Sequence, residues 1–127
     1  MDPFLTDEHR QFRDMIKKFA EREIEPLIEE AEREQKFPKQ IIGRANEVGI
    51  LGVGLPEEFG GTDADMLMFS ILAEELVRVD AGIGVGLFGV AMGYRVLSKL
   101  GSEEQRKRYL TDALEKETVF SLGVTEP

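Results

Sequence analysis

The 127-residue chain has no cysteine, no tryptophan and a single histidine. Without cysteine there is no disulfide, no thiolate nucleophile and no thiolate metal site. The histidine, His9, sits among Asp7, Glu8 and Arg10 at a helix start and reads as a solvated surface residue. No carboxylate–histidine cluster has metal-ligand spacing, and no nucleophile–base pair stands out. Basic residues are also scarce: 16 Lys and Arg stand against 25 Asp and Glu, a net charge of −9. Such a surface repels phosphate backbones and no basic stripe interrupts it, which argues against nucleic-acid binding. Long uncharged runs are missing too. The longest, residues 81–94, stops at Arg95, short of the ~20 residues a membrane helix needs. The N-terminus carries acidic residues and no apolar signal core, so a cytoplasmic protein is expected.

What is present suits a soluble globular domain: 42% of residues are apolar and 32% charged. A chain of this length buries roughly two-thirds of its unfolded surface. Thr6 reads as an N-cap, followed by a helical stripe through Phe12, Met15, Ile16, Phe19, Ile24, Leu27, Ile28 and Ala31 that Pro26 should kink. Pro38 suits the first turn of a second helix carrying Ile41, Ile42, Ala45 and Val48, which Gly49 closes. Residues 52–62 form a loop punctuated by Pro56 and Gly60-Gly61. A third helix spans about 63–79; its methionines read as core at this spacing. Asp80 caps a fourth helix to Leu100, and a Ser102–Gln105 capping box starts a fifth that runs to about Leu114. The adjacent pairs Glu74-Glu75 and Glu103-Glu104 read as solvated or capping residues, since helix neighbours do not face each other. The expected fold is all-α: an antiparallel bundle of about five helices with a C-terminal strand stub.

The fourth helix holds Gly82, Gly84, Gly86, Gly89 and Gly93. Interior glycines cost about 0.8–1 kcal/mol each relative to alanine, so small size must be needed. The intervening residues are apolar all round, which predicts burial on nearly all sides. Two explanations compete: close helix packing, or room beside the helix for an apolar ligand. Residue physics alone favours packing. The match of residues 84–89 to G-x-G-x-x-G is rejected, because it lies inside a helix and no βαβ unit surrounds it.

Residues 119–124 read as a strand, β-branched and aromatic with no charge. A lone strand lacks a ladder partner. It is therefore read as the first strand of a β-domain outside this chain, dividing the sequence into 1–116 and 117–127.

Four segments then carry a resemblance. Leu55-Pro56-Glu57-Glu58-Phe59-Gly60-Gly61 and Val124-Thr125-Glu126-Pro127 closely resemble signatures of the acyl-CoA dehydrogenase family. Residues 100–110, from Leu100-Gly101-Ser102 to Tyr109-Leu110, look like a third signature, and residues 19–26, Phe19 to Pro26, like a fourth. The four occur in the family's order along the whole chain.

The resemblance implies the N-terminal helical domain of an enzyme that uses FAD to desaturate acyl-CoA thioesters between the α and β carbons. A glutamate base removes the α proton, a hydride passes from the β carbon to the flavin, and electrons leave to an electron-transfer flavoprotein. That base has no counterpart here, so this chain alone is expected neither to catalyse nor to hold FAD tightly. The resemblance also implies a homo-oligomeric parent. Leu122, Val124 and Thr125 map onto flavin-contacting positions, and Gly84, Val85, Phe88 and Met92 onto the wall of the acyl pocket, which tips the glycine question toward a cavity. On that mapping, Gly84→Gln should shift preference toward shorter acyl chains. Two other readings stand beside this one: a free-standing helical interaction module using its strand edge, and a domain of a related flavin oxidase or monooxygenase.

Overall fold

The computed structural model describes residues 3–121, 123–125 and 127. Helix α1 (Asp7–Phe19) starts at the expected cap. The Thr6 hydroxyl accepts the His9 amide at 3.2 Å, and His9 Nδ1 accepts the Thr6 amide at 3.1 Å. This is a reciprocal capping box with histidine in the third position. The ring's other nitrogen lies 2.8 Å from Asp65 Oδ2, and His9 is buried. The expectation of a solvated His9 is therefore corrected: its spacing from Thr6 turns it toward the cap and the neighbouring helix.

Pro26 cannot supply an amide to the helical ladder. The backbone adjusts through a π turn at Ala20–Ile24 and a 3-10 turn at Glu25–Leu27, then resumes as α2 (Ile28–Glu34). Together α1 and α2 make one bent rod, the kink that the proline predicts. Helix α3 (Gln40–Glu47) buries Ile41 and Ala45. In the loop that follows, Leu51, Val53 and Leu55 are core residues. Gly60 takes the left-handed conformation (φ +84°), and a Cβ on Gly61 would stand 2.2 Å from the Leu55 carbonyl oxygen. The Gly60-Gly61 pair is thus fixed by both conformation and contact.

Helix α4 (Met66–Val79) begins three residues later than expected, because Asp65 is its cap and accepts the Met68 amide at 2.7 Å. That amide, and then His9, hold the Asp65 carboxyl below the ordinary range. One side chain therefore ties the starts of α1 and α4. Helix α5 (Ala81–Leu100) is capped by Asp80, whose Oδ1 accepts the Ile83 amide at 2.7 Å. Helix α6 (Glu103–Leu110) has the expected Ser102–Gln105 box. It stops short of Leu114, and the Ala113 amide turns back to the Leu110 carbonyl at 3.2 Å.

Helices α4 and α5 run antiparallel, with Leu76 against Gly84 and Phe69 against Phe88. Helix α5 is long and apolar enough to span a membrane by composition, with mean hydropathy 1.4, yet Leu87 and Tyr94 are fully enclosed by the bundle. Burial on nearly all sides is corrected to burial on one broad face. Val85 is 58% exposed and Leu100 81% exposed, because α4 and the C-terminal segment cover only part of the helix. Glu75 is also not solvated: it is buried and accepts from Arg13 and Arg78. Among the described residues the fold is all-α, five rods when α1 and α2 count as one. Residues 118–121 and 123–125 join no strand ladder among the described residues.

Candidate functional site

The glycines of α5 divide by what lies beside them. A Cβ on Gly84 would stand 2.7 Å from both the carbonyl carbon and oxygen of Leu76, so here α5 rests directly on the α4 backbone. A Cβ on Gly86 would meet the Phe37 ring at 2.4 Å, and one on Gly93 would meet the Phe120 Cβ at 2.7 Å. Among the described residues, Gly89 alone in this helix has nothing within 4 Å of an added Cβ. Close packing explains three of the five, and open space explains one.

Toward its C-terminal half α5 leaves α4 along a groove of about 620 Å³, lined by Met66, Phe69, Ala73, Phe88, Met92 and Val96 among others. That is within the usual ~300–1,000 Å³ of small-molecule sites. Phe88 is half-buried and tilted on Phe69, ring centroids 4.9 Å apart. Met92 is half-buried on the same wall. Of the four positions mapped to an acyl pocket, Phe88 and Met92 line this groove. Gly84 is buried at the helix contact, and Val85 points to solvent.

Arg95, one turn beyond Met92, was not anticipated. Its guanidinium lies 4.9 Å from the Phe69 ring centroid, a cation–π contact that closes one side of the groove. Its Nη1 is buried without a hydrogen-bond partner among the described residues, and packs where a Gly54 side chain would otherwise be. The sequence signal was available: Arg95 continues the Phe88–Met92 stripe at helical spacing.

Of the positions mapped to flavin, Leu122 lies outside the described residues. Val124 is 84% exposed. Thr125 is exposed and makes no hydrogen bond among the described residues. This segment is anchored upstream by Tyr94, a buried residue whose hydroxyl donates toward the Thr118 carbonyl at 2.6 Å and the Ala113 carbonyl at 3.2 Å. Burial, and then the charge of Glu117, push the Tyr94 phenol up to about 12.

Residues 6–117 match the family model described as acyl-CoA dehydrogenase, N-terminal domain. The chain belongs to that family. It is 32% identical over 128 residues to the short-chain specific acyl-CoA dehydrogenase of Clostridium acetobutylicum, covering 100% of this chain and 34% of the relative. Its fold superposes on butyryl-CoA dehydrogenase from Megasphaera elsdenii with TM-score 0.84 and 28% identity, covering 100% of this chain and 34% of that one. A second neighbour comes from a structural study of the electron transferring flavoprotein of Acidaminococcus fermentans, with TM-score 0.80 and 33% identity over 94% of this chain and 32% of that one. The chain thus spans about a third of the length of the relatives it matches.

Proposed function

We propose that this chain is the N-terminal domain of an FAD-dependent acyl-CoA dehydrogenase, and that the α4–α5 groove takes part of the substrate's acyl tail. The observation that carries this reading is the groove itself: apolar walls at Phe69, Phe88 and Met92, in a domain of this family. An acyl tail gains from such walls through burial, at about 25 cal/mol per Å² of apolar surface. Residues 1–116 are the helical domain in this reading, and 117–127 lead into a β-domain.

The chain fits FAD along one edge only. The hydroxyl and amide of Thr125, without hydrogen bonds among the described residues, and the exposed side chain of Val124 can meet a planar ring, and no group of the described residues encloses one. When bound, FAD supplies the hydride acceptor for desaturation at the β carbon. This chain's contribution is to wall the acyl tail and present the 123–125 segment. In this reading the whole protein works in the cytoplasm as a homo-oligomer and passes electrons to an electron-transferring flavoprotein. The free-standing interaction module is not favoured, since the family match runs through nearly the whole chain.

Adding acyl-CoA anaerobically to the purified natural protein tests the proposal. Flavin absorbance should bleach, and turnover should follow an added electron acceptor rather than oxygen. A colourless protein, or a flavin that acyl-CoA leaves oxidised, would contradict it; acceptor-independent oxygen consumption would move the protein to the oxidases.

A further inference from the structure

Tyr94 lies fully buried on α5, two residues beyond Met92, and its hydroxyl reaches two carbonyls of the segment that leaves the bundle. The Ala113 carbonyl also accepts the Thr118 amide at 2.9 Å. Between them Glu117 holds a left-handed backbone (φ +49°) and its amide meets the Leu114 carbonyl at 3.1 Å, so the chain reverses through a Schellman-type turn just ahead of Thr118. Beyond it the Phe120 ring meets the Tyr94 ring edge-on, centroids 5.2 Å apart and planes at 80°. The Phe120 Cβ sits 2.7 Å from where any side chain at position 93 would begin. Only glycine at 93 leaves that notch open. Two adjacent residues of α5 therefore hold the exit segment by a hydroxyl, a ring face and an absent side chain.

We infer that Tyr94 and Gly93 are positioning residues, clamping residues 118–120 to the helix that carries Phe88 and Met92 and so fixing the flavin-edge segment relative to the acyl groove. This rests on the function proposed above. Val124 and Thr125 follow Phe120 by four and five residues, so the clamp limits how far from α5 they can stand, to at most about 14–18 Å of extended chain. The chemistry needs such a link. Hydride transfer requires the acyl β carbon and the flavin to meet at near-contact distance, and misplacement by about 1 Å can cost on the order of a hundredfold in rate.

The test uses the natural full-length protein with two variants. Tyr94→Phe keeps the ring against Phe120 and removes the hydroxyl. Phe120→Ala keeps both Tyr94 hydrogen bonds and empties the notch, so it stands if the first fails to fold. For Tyr94→Phe, amide exchange at Thr118 should speed up on the order of tenfold. For both variants, kcat per bound flavin should fall roughly tenfold with the acyl-CoA KM within about twofold, and the flavin midpoint potential should shift. Lowered Tm with unchanged kcat, potential and Thr118 exchange would overturn the inference and leave Tyr94 a core residue only. A wild-type protein without flavin would overturn the proposed function, and this inference with it. Flavin-loaded wild type with unaffected variants would overturn the clamp alone.

Discussion

Gly84→Gln should lower the unfolding free energy of this chain by about 2–3 kcal/mol, read from urea denaturation followed by circular dichroism. Two terms oppose each other. Replacing a helix-interior glycine gains at most about 1 kcal/mol of helix propensity. Against this, the new Cβ would stand 2.7 Å from the Leu76 carbonyl and 2.8 Å from the Val77 amide nitrogen. Those are backbone atoms, with no flexible end to yield, so α4 and α5 must separate along their shared face. A typical domain holds only ~5–15 kcal/mol in total, so such a loss is large. The matched control is Gly89→Ala, where none of the described residues lies within 4 Å of an added Cβ. It should stabilise the chain by up to about 1 kcal/mol. Equal effects at both positions would mean that the α4–α5 contact does not set the cost. In the natural protein any change in chain-length preference from Gly84→Gln should accompany this loss of stability.

The second large effect is an asymmetry around Glu75. This carboxylate is 5% exposed and accepts Arg13 Nη1 at 2.7 Å and Arg78 Nε at 3.0 Å. Arg13 also meets Glu74 at 2.9 Å, and Arg78 meets Glu21 at 3.5 Å. Arg13→Met leaves a buried carboxylate with one remaining partner, and should cost about 2–3 kcal/mol. Glu75→Met leaves two arginines that keep an outer carboxylate and reach water, and should cost no more than about 1 kcal/mol. The double variant should match Glu75→Met to within about 0.5 kcal/mol, since the stranded charge is gone. Equal costs for the two single variants, in thermal or urea unfolding, would show that the pair acts as two independent surface bridges.

Much of this architecture was legible because the signals were local. Thr6, Asp80 and Ser102 cap the helices they were expected to cap, and Pro26 bends the first rod. The failures were contacts distant in sequence. Asp65 is 56 residues from His9, so nothing local showed a partner for the second ring nitrogen, although Thr6, three residues away, holds the first. Glu75 looked solvated because its partner Arg13 is 62 residues away; its other partner, Arg78, is only three residues on and gives no sign of burial by itself. In α5, composition showed that small residues were needed but not what they were needed against. The partners are α4 backbone for Gly84, Phe37 for Gly86 and Phe120 for Gly93. Apolar composition likewise overstated the burial of α5, because periodicity does not show which face this chain leaves uncovered. For the candidate site, Phe88 and Met92 were named from the family resemblance; Arg95 continues their helical stripe, whereas the role of Tyr94 became visible only with the exit segment in place.

The claim at the centre is that the acyl tail lies in the α4–α5 groove against Met92. Measuring kcat/KM over a series of straight-chain acyl-CoA substrates, for the natural protein and its Met92→Trp variant, tests it directly. Filling the groove should leave the shortest substrates within about twofold and reduce the longer ones on the order of 10–100-fold. A uniform reduction, or none, across the series would place the acyl tail elsewhere.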